Sequence, residues 1–161
     1  MIPMKKNIVF IVVCVCSIML FSGCEQDRWY DWKVMNQLWL EENKKNEGVI
    51  VSHTGLQYKV IYQGTEADRK PNSTSYVTVD YTGRLIDGTV FDDQVLSGYM
   101  TTFIQGWVEG LCKMNLNGDY ILYIPYDLGY GEDGTGSEGY EGYIPPYSTL
   151  IFEVHLSDIV N

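Results

Sequence analysis

Apolar and polar residues alternate with two different periods along this chain. From Asp31, the run DWKVMNQLWLEENKKN places Trp32, Met35 and Trp39 at i, i+3 and i+7, with Val34 and Leu38 widening the stripe. That spacing predicts a helix over residues 32–48, with Asp31 at its start, Lys44 and Lys45 in its last turn and Gly48 behind it. Whether the stripe packs on the rest of the chain or on a second copy is open at this level. Beyond Gly48 the period shortens to two. LQYKVIY and YVTVDYTGRLI read as strands, and Asp87-Gly88 signals a hairpin before TVF. GWVEGLCKMN returns to helical spacing, with Trp107, Leu111 and Met114 on one face, and Asn117-Gly118 turns the chain into the strand DYILYIP. The last segment, STLIFEVHLSDI, sets Leu150, Phe152, Val154 and Leu156 on one face and Ile151, Glu153 and His155 on the other. Many strands with one internal helix predict an α+β domain, an antiparallel sheet packed on that helix.

The first residues follow neither period. Lys5 and Lys6 precede the apolar run IVFIVVCVCSIML, which has the length of a signal peptide and is short for a membrane span. FSGC follows, resembling the lipobox of bacterial lipoproteins, so residues 1–23 are expected to be a removable signal and Cys24 the lipidated residue. Residues 24–31 then form a polar tether. Removing the signal takes away two of the 11 basic residues and none of the 21 acidic ones, so net charge moves from −10 to about −12. Such a surface repels nucleic acid and anionic headgroups, which excludes nucleic acid as a partner and leaves membrane contact to the lipid. Cys14 and Cys16 lie in the signal, so Cys112 alone remains and no intramolecular disulfide is expected.

Several motifs invite chemistry and fail on context. Gly134, Gly136 and Gly139 form a literal G-x-G-x-x-G. A dinucleotide site needs a helix directly after the glycines, and here Pro145 and Pro146 bar one while Glu132, Asp133, Glu138 and Glu141 would repel phosphate. The same acids do not follow the spacing of a calcium loop. His53 and His155 are far apart in sequence, which argues against zinc. No cofactor or metal is expected.

VTVDYTGRLIDGTVFDD, FIQGWVEGL, YIPYDLGYG and IPPYSTLIFEVHL, in this order, resemble the FKBP-type peptidyl-prolyl cis-trans isomerases. The resemblance runs from about Gly55 to Asn161, and residues 49–161 are accordingly expected to form an FKBP-like domain, a sheet wrapped around a short helix with an apolar pocket between them. It implies that Tyr81, Phe91 and Asp92 form one wall and Phe103 and Ile104 another. The Ile104 N–H would donate to bound peptide, Trp107 would be the floor, and the Tyr130 hydroxyl would donate to a ligand carbonyl. Ile144 and Phe152 would complete the lining. Tyr81, Asp92 and Tyr130 are thus the candidate catalytic positions, with tyrosine hydroxyls as partners for Asp92. Implied substrates are proline-containing polypeptides of a bacterial cell envelope, with the protein held by lipid at the outer membrane. A homodimer through the 32–46 helix is an open possibility, and a non-catalytic peptide-binding or chaperone module is the competing reading.

This chain departs from the family pattern twice. The stretch DDQVLSGYMTTFIQG between Phe91 and Trp107 is shorter than usual, and residues 131–143 are longer. The longer segment is expected to be an enlarged flap, its acids in water and Tyr140 or Tyr143 over the cleft.

Overall fold

Residues 28–65 and 69–160 are described by a computed structural model. The expected signal, Cys24 and half of the tether lie outside them. The described elements are α1 (Tyr30–Asn43), β1 (Val49–Val51), β2 (Gln57–Tyr62), β3 (Tyr76–Arg84), β4 (Val90–Tyr99), α2 (Gln105–Leu111), β5 (Asp119–Ile124) and β6 (Leu150–Val160). The six strands form one antiparallel sheet in the order β1-β2-β5-β6-β3-β4. This is the α+β architecture that the two periods predict.

The alternation in β6 works as expected. Leu150, Phe152, Val154 and Leu156 are buried, while His155 on the other face holds its Nδ1 2.7 Å from the Asp119 carboxylate. Val77, Val79 and Tyr81 of β3 join the same core. Each aliphatic side chain so buried contributes about 1.5–3 kcal/mol relative to exposure. Helix α2 closes over this face with Trp107 and Leu111 buried, and Met114, just past its end, is buried as well. Its Gly106 and Gly110, one turn apart, explain how it comes so near. A β-carbon at Gly106 would lie 2.4 Å from Ile124, and one at Gly110 would lie 2.6 Å from Leu122.

Two expectations require correction. Helix α1 buries Asn36 and Asn43 and leaves Met35 and Leu38 more than half exposed, so the apolar stripe is packed only along its Trp32–Trp39 side. Hydrogen bonds decide its rotation. The Asn36 amide oxygen accepts the Thr149 N–H at 2.7 Å. Asn43 donates to Gln57 at 2.9 Å, and Gln57 donates to the Leu40 carbonyl at 2.9 Å. Two residues of the predicted stripe reach the sheet domain from half-buried positions, Trp32 against the core and Trp39 against Tyr123 with ring centroids 5.7 Å apart. The second correction concerns β4, which continues well past TVF and pairs with β3 from Arg84↔Val90 to Tyr76↔Tyr99. Its outer face carries exposed Val95 and Tyr99.

Candidate functional site

A cleft of about 890 Å3 opens between β3, β4, α2 and the loop that leads into β6. Nine residues singled out in the sequence line it: Tyr81, Phe91, Asp92, Phe103, Ile104, Trp107, Tyr130, Ile144 and Phe152. They come from six separate stretches of chain, joined by the β3–β6 and β3–β4 pairings and by α2.

Trp107 stands at the centre. Its ring meets Tyr81 at 4.7 Å, Phe152 at 5.1 Å and Phe103 at 5.3 Å between centroids, each nearly perpendicular. Phe91 meets Phe152 edge to face at 5.4 Å. Edge-to-face packing sets the positive ring edge against the negative face of the next ring, which fixes each ring's tilt. The Trp107 indole N–H is buried with no hydrogen-bond partner among the described residues. Gly83, behind the rings, makes the packing possible, since a β-carbon there would lie 2.5 Å from Phe91 and 2.8 Å from Phe152.

The polar groups form a second set. The Tyr81 hydroxyl donates to Asp92 Oδ2. It accepts from the Gln94 amide at 2.9 Å, and that amide also reaches both Asp92 oxygens at 3.1 Å. The Asp93 N–H donates to Asp92 Oδ1 at 3.0 Å. Asp92 is therefore held at both oxygens, by Tyr81 and not by Tyr130. Burial, and then the hydrogen bond to Asp92, push the Tyr81 hydroxyl well above the usual phenol range. Burial first, and the Asp92 charge second, also raise that of Tyr130. Besides the Trp107 indole N–H, two donors remain uncommitted among the described residues, the Tyr130 hydroxyl at the rim and the Ile104 N–H just before α2.

Some lining residues escaped the sequence reading. Val90, Leu96, Thr102, Thr135, Glu141 and Gly142 also face the cleft, and with Asp92 and Asp93 this makes three acids and no lysine or arginine. Gln94 was missed as well, although it sits opposite Tyr81 in the β3–β4 register. Reading β4 at its full length would have found it. The flap differs from expectation, too. Tyr140 is 76% exposed and Tyr143 does not line the cleft, whereas Glu141 and Gly142 do. A paired bridge between Thr135 and Ile144 draws the two limbs of the loop together, which turns the Glu141–Gly142 end toward Phe91.

Residues 67–157 match the model of the FKBP-type peptidyl-prolyl cis-trans isomerase family, and residues 29–60 that of the domain amino terminal to it. The chain belongs to this family. It is 47% identical over 127 residues to the FKBP-type 22 kDa peptidyl-prolyl cis-trans isomerase of Escherichia coli, covering 76% of this chain and 58% of that one. It is 42% identical over 132 residues to the outer membrane protein MIP of Legionella longbeachae, covering 79% of this chain and 54% of that one. The chain thus spans about half the length of these curated relatives. Among solved structures, FkpA from Escherichia coli superposes with a TM-score of 0.73 at 31% identity, over 98% of this chain and 74% of the other.

Proposed function

We propose that this chain is a peptidyl-prolyl cis-trans isomerase acting on X–Pro bonds of proteins that fold in the bacterial cell envelope. The observation that carries the proposal is the buried Trp107 ring, walled by Tyr81, Phe103 and Phe152, with the Ile104 N–H and Tyr130 hydroxyl left over as donors.

The chemistry follows from the amide. Resonance holds the X–Pro bond planar behind a barrier of about 18–20 kcal/mol. Twisting the bond removes that resonance and its charge separation, so the transition state is less polar at the amide than either planar state. A dry aromatic floor therefore favours the twisted form relative to water, which is differential binding. In this reading Trp107 and Phe152 receive the proline ring, with Phe91, Phe103 and Ile144 completing the apolar wall. Ile104 and Tyr130 orient the flanking carbonyls. The Tyr81–Asp92 pair, locked by Gln94, holds the polar wall in place and takes no proton from the substrate. No group has to change its covalent bonds.

A protease-coupled isomerisation assay on the protein lacking residues 1–23 tests this. Activity lost in Trp107→Leu, with the far-ultraviolet circular dichroism and a cooperative thermal transition retained, supports catalysis. No activity, together with undiminished suppression of client aggregation, would replace it by the chaperone reading.

The envelope setting carries finer proposals. Cys24 is the lipid-bearing residue that anchors the protein at the outer membrane, and Cys24→Ser should release it from the membrane fraction. The exposed Met35 and Leu38 of α1 support a homodimer through that helix, and Leu38→Glu should then reduce the mass found by light scattering. The excess of acidic residues supports protein and not nucleic acid as the partner.

A further inference from the structure

We infer that α1 is a clamp on the loop wall of the cleft, and that Trp32, acting through Ser148, is a positioning residue for the isomerase reaction. The inference rests on the function proposed above.

The loop needs such a clamp. Between Tyr130 and Tyr147 the chain carries Gly131, Gly134, Gly136, Gly139 and Gly142, all at positive φ. Glycines lose more conformational freedom on ordering than other residues, so a loop built from them is costly to hold still. Yet this loop delivers Thr135, Glu141, Gly142 and Ile144 to the cleft. Across its middle the Thr135 and Ile144 backbones exchange both hydrogen bonds, each 2.9 Å. Its two ends meet where the Tyr147 N–H donates to the Gly131 carbonyl at 3.1 Å.

Helix α1 grips both ends. The Lys33 ammonium lies 3.8 Å from Glu132 on the outgoing limb and 4.2 Å from the Tyr147 ring centroid on the returning one. The Trp32 indole N–H donates to Ser148 Oγ at 3.0 Å, and that hydroxyl donates to the Pro145 carbonyl at 2.7 Å. One residue further, the buried Asn36 amide accepts the Thr149 N–H. The relay Trp32–Ser148–Pro145 ends on the residue bonded to Ile144, which is itself buried in the cleft wall. A helix serving only as an attachment would not need its indole N–H committed to the hydroxyl that holds that carbonyl.

The test uses Trp32→Phe, which keeps an aromatic ring and removes the donor, together with Ser148→Ala and the double variant. Protection of the Thr135 and Ile144 amides from hydrogen exchange should fall about five-fold, the equivalent of one hydrogen bond, with Leu122 and Phe152 in β5 and β6 unchanged. For a Leu-Pro peptide KM should rise about three-fold with kcat within two-fold, because the relay places the wall and touches no reacting atom. The double variant should be no worse than Ser148→Ala alone, since both substitutions break one relay. Should Ser148→Ala fail to fold, Trp32→Phe alone decides. Unchanged protection, a loss spread evenly over the sheet, or a loosened loop with unchanged KM each overturns the inference. If the parent protein isomerises no peptide, the functional reading fails separately. The clamp is then decided by amide exchange and by affinity for the same peptide followed by NMR titration.

Discussion

Gly83→Ala sets two effects of opposite sign against each other, and the structure says which wins. Gly83 lies inside β3 without positive φ, so alanine is conformationally allowed there. On backbone grounds alone the exchange should stabilise the strand by roughly 0.5–1 kcal/mol. Packing opposes it. The new methyl would sit 2.5 Å from the Phe91 ring and 2.8 Å from the Phe152 ring, against an ordinary contact of 3.4 Å or more. Both rings are buried and braced against each other edge to face, so neither can turn aside freely. A forced retreat in a well-packed core costs about 1–3 kcal/mol. The net effect is a destabilisation of about 0.5–2 kcal/mol, or a Tm lowered by roughly 2–8 °C for a domain of this size. Both rings also line the cleft, so their displacement should raise KM for a Leu-Pro peptide more than a surface variant of equal Tm does. Thermal melts and protease-coupled kinetics on the same preparation measure the two consequences. Adding Phe91→Leu should recover part of the lost Tm by making room. A Gly83→Ala protein at least as stable as the parent, with unchanged KM, would refute the close-packing argument.

Three further outcomes follow from the site. Tyr81 and Tyr130 have hydroxyls raised above the ordinary value of about 10, so above that pH the folded state holds protons that the unfolded chain has released. Stability from this source is complete below pH 10 and is lost as pH rises beyond it. Melting followed from pH 8 to 11.5 should show a flat Tm and then a decline, shallower in Tyr81→Phe. Asp92→Asn weakens a hydrogen bond to a charged acceptor, worth about 1.5–3 kcal/mol, so kcat/KM should drop more than ten-fold while far-ultraviolet circular dichroism stays the same. Because Asp92, Asp93 and Glu141 line the cleft without a basic neighbour, Lys-Pro peptides should show a lower KM than Glu-Pro peptides by several-fold at low salt. Glu141→Gln should halve that preference, 0.5 M salt should largely erase it, and a preference indifferent to salt would contradict the electrostatic origin.

The parts of the molecule that could be read from sequence share one property: their side chains alternate between a dry and a wet face. β6 is the clear case, since Leu150, Phe152, Val154 and Leu156 report the core directly. The same logic, with the family resemblance, brought nine cleft residues together on paper before the fold joined them in space. What stayed hidden depends on partners far away in the chain. Asn36 and Asn43 look like solvent residues of a helix until Thr149 and Gln57 arrive to bond them. The far end of β4 alternates poorly because only its pairing with β3 holds it, and Val95 and Tyr99 point to water. Gln94 was invisible for the same reason. Glu141 enters the cleft because a two-residue bridge turns the loop tip, and no local pattern encodes that geometry.

The order of strands also sets a timetable. β6 lies between β5 and β3, and it comes after both in the chain. Until it is available, β1, β2 and β5 can form one half-sheet and β3 and β4 a hairpin, but no strand pairing joins them. Every residue pair across that seam spans a long loop whose closure entropy precedes the gain. A ribosome-bound chain lacking its β6 segment should thus expose two unjoined apolar faces, with Trp107 still unroofed. Completion of the sheet, and of the cleft with it, arrives in one late step.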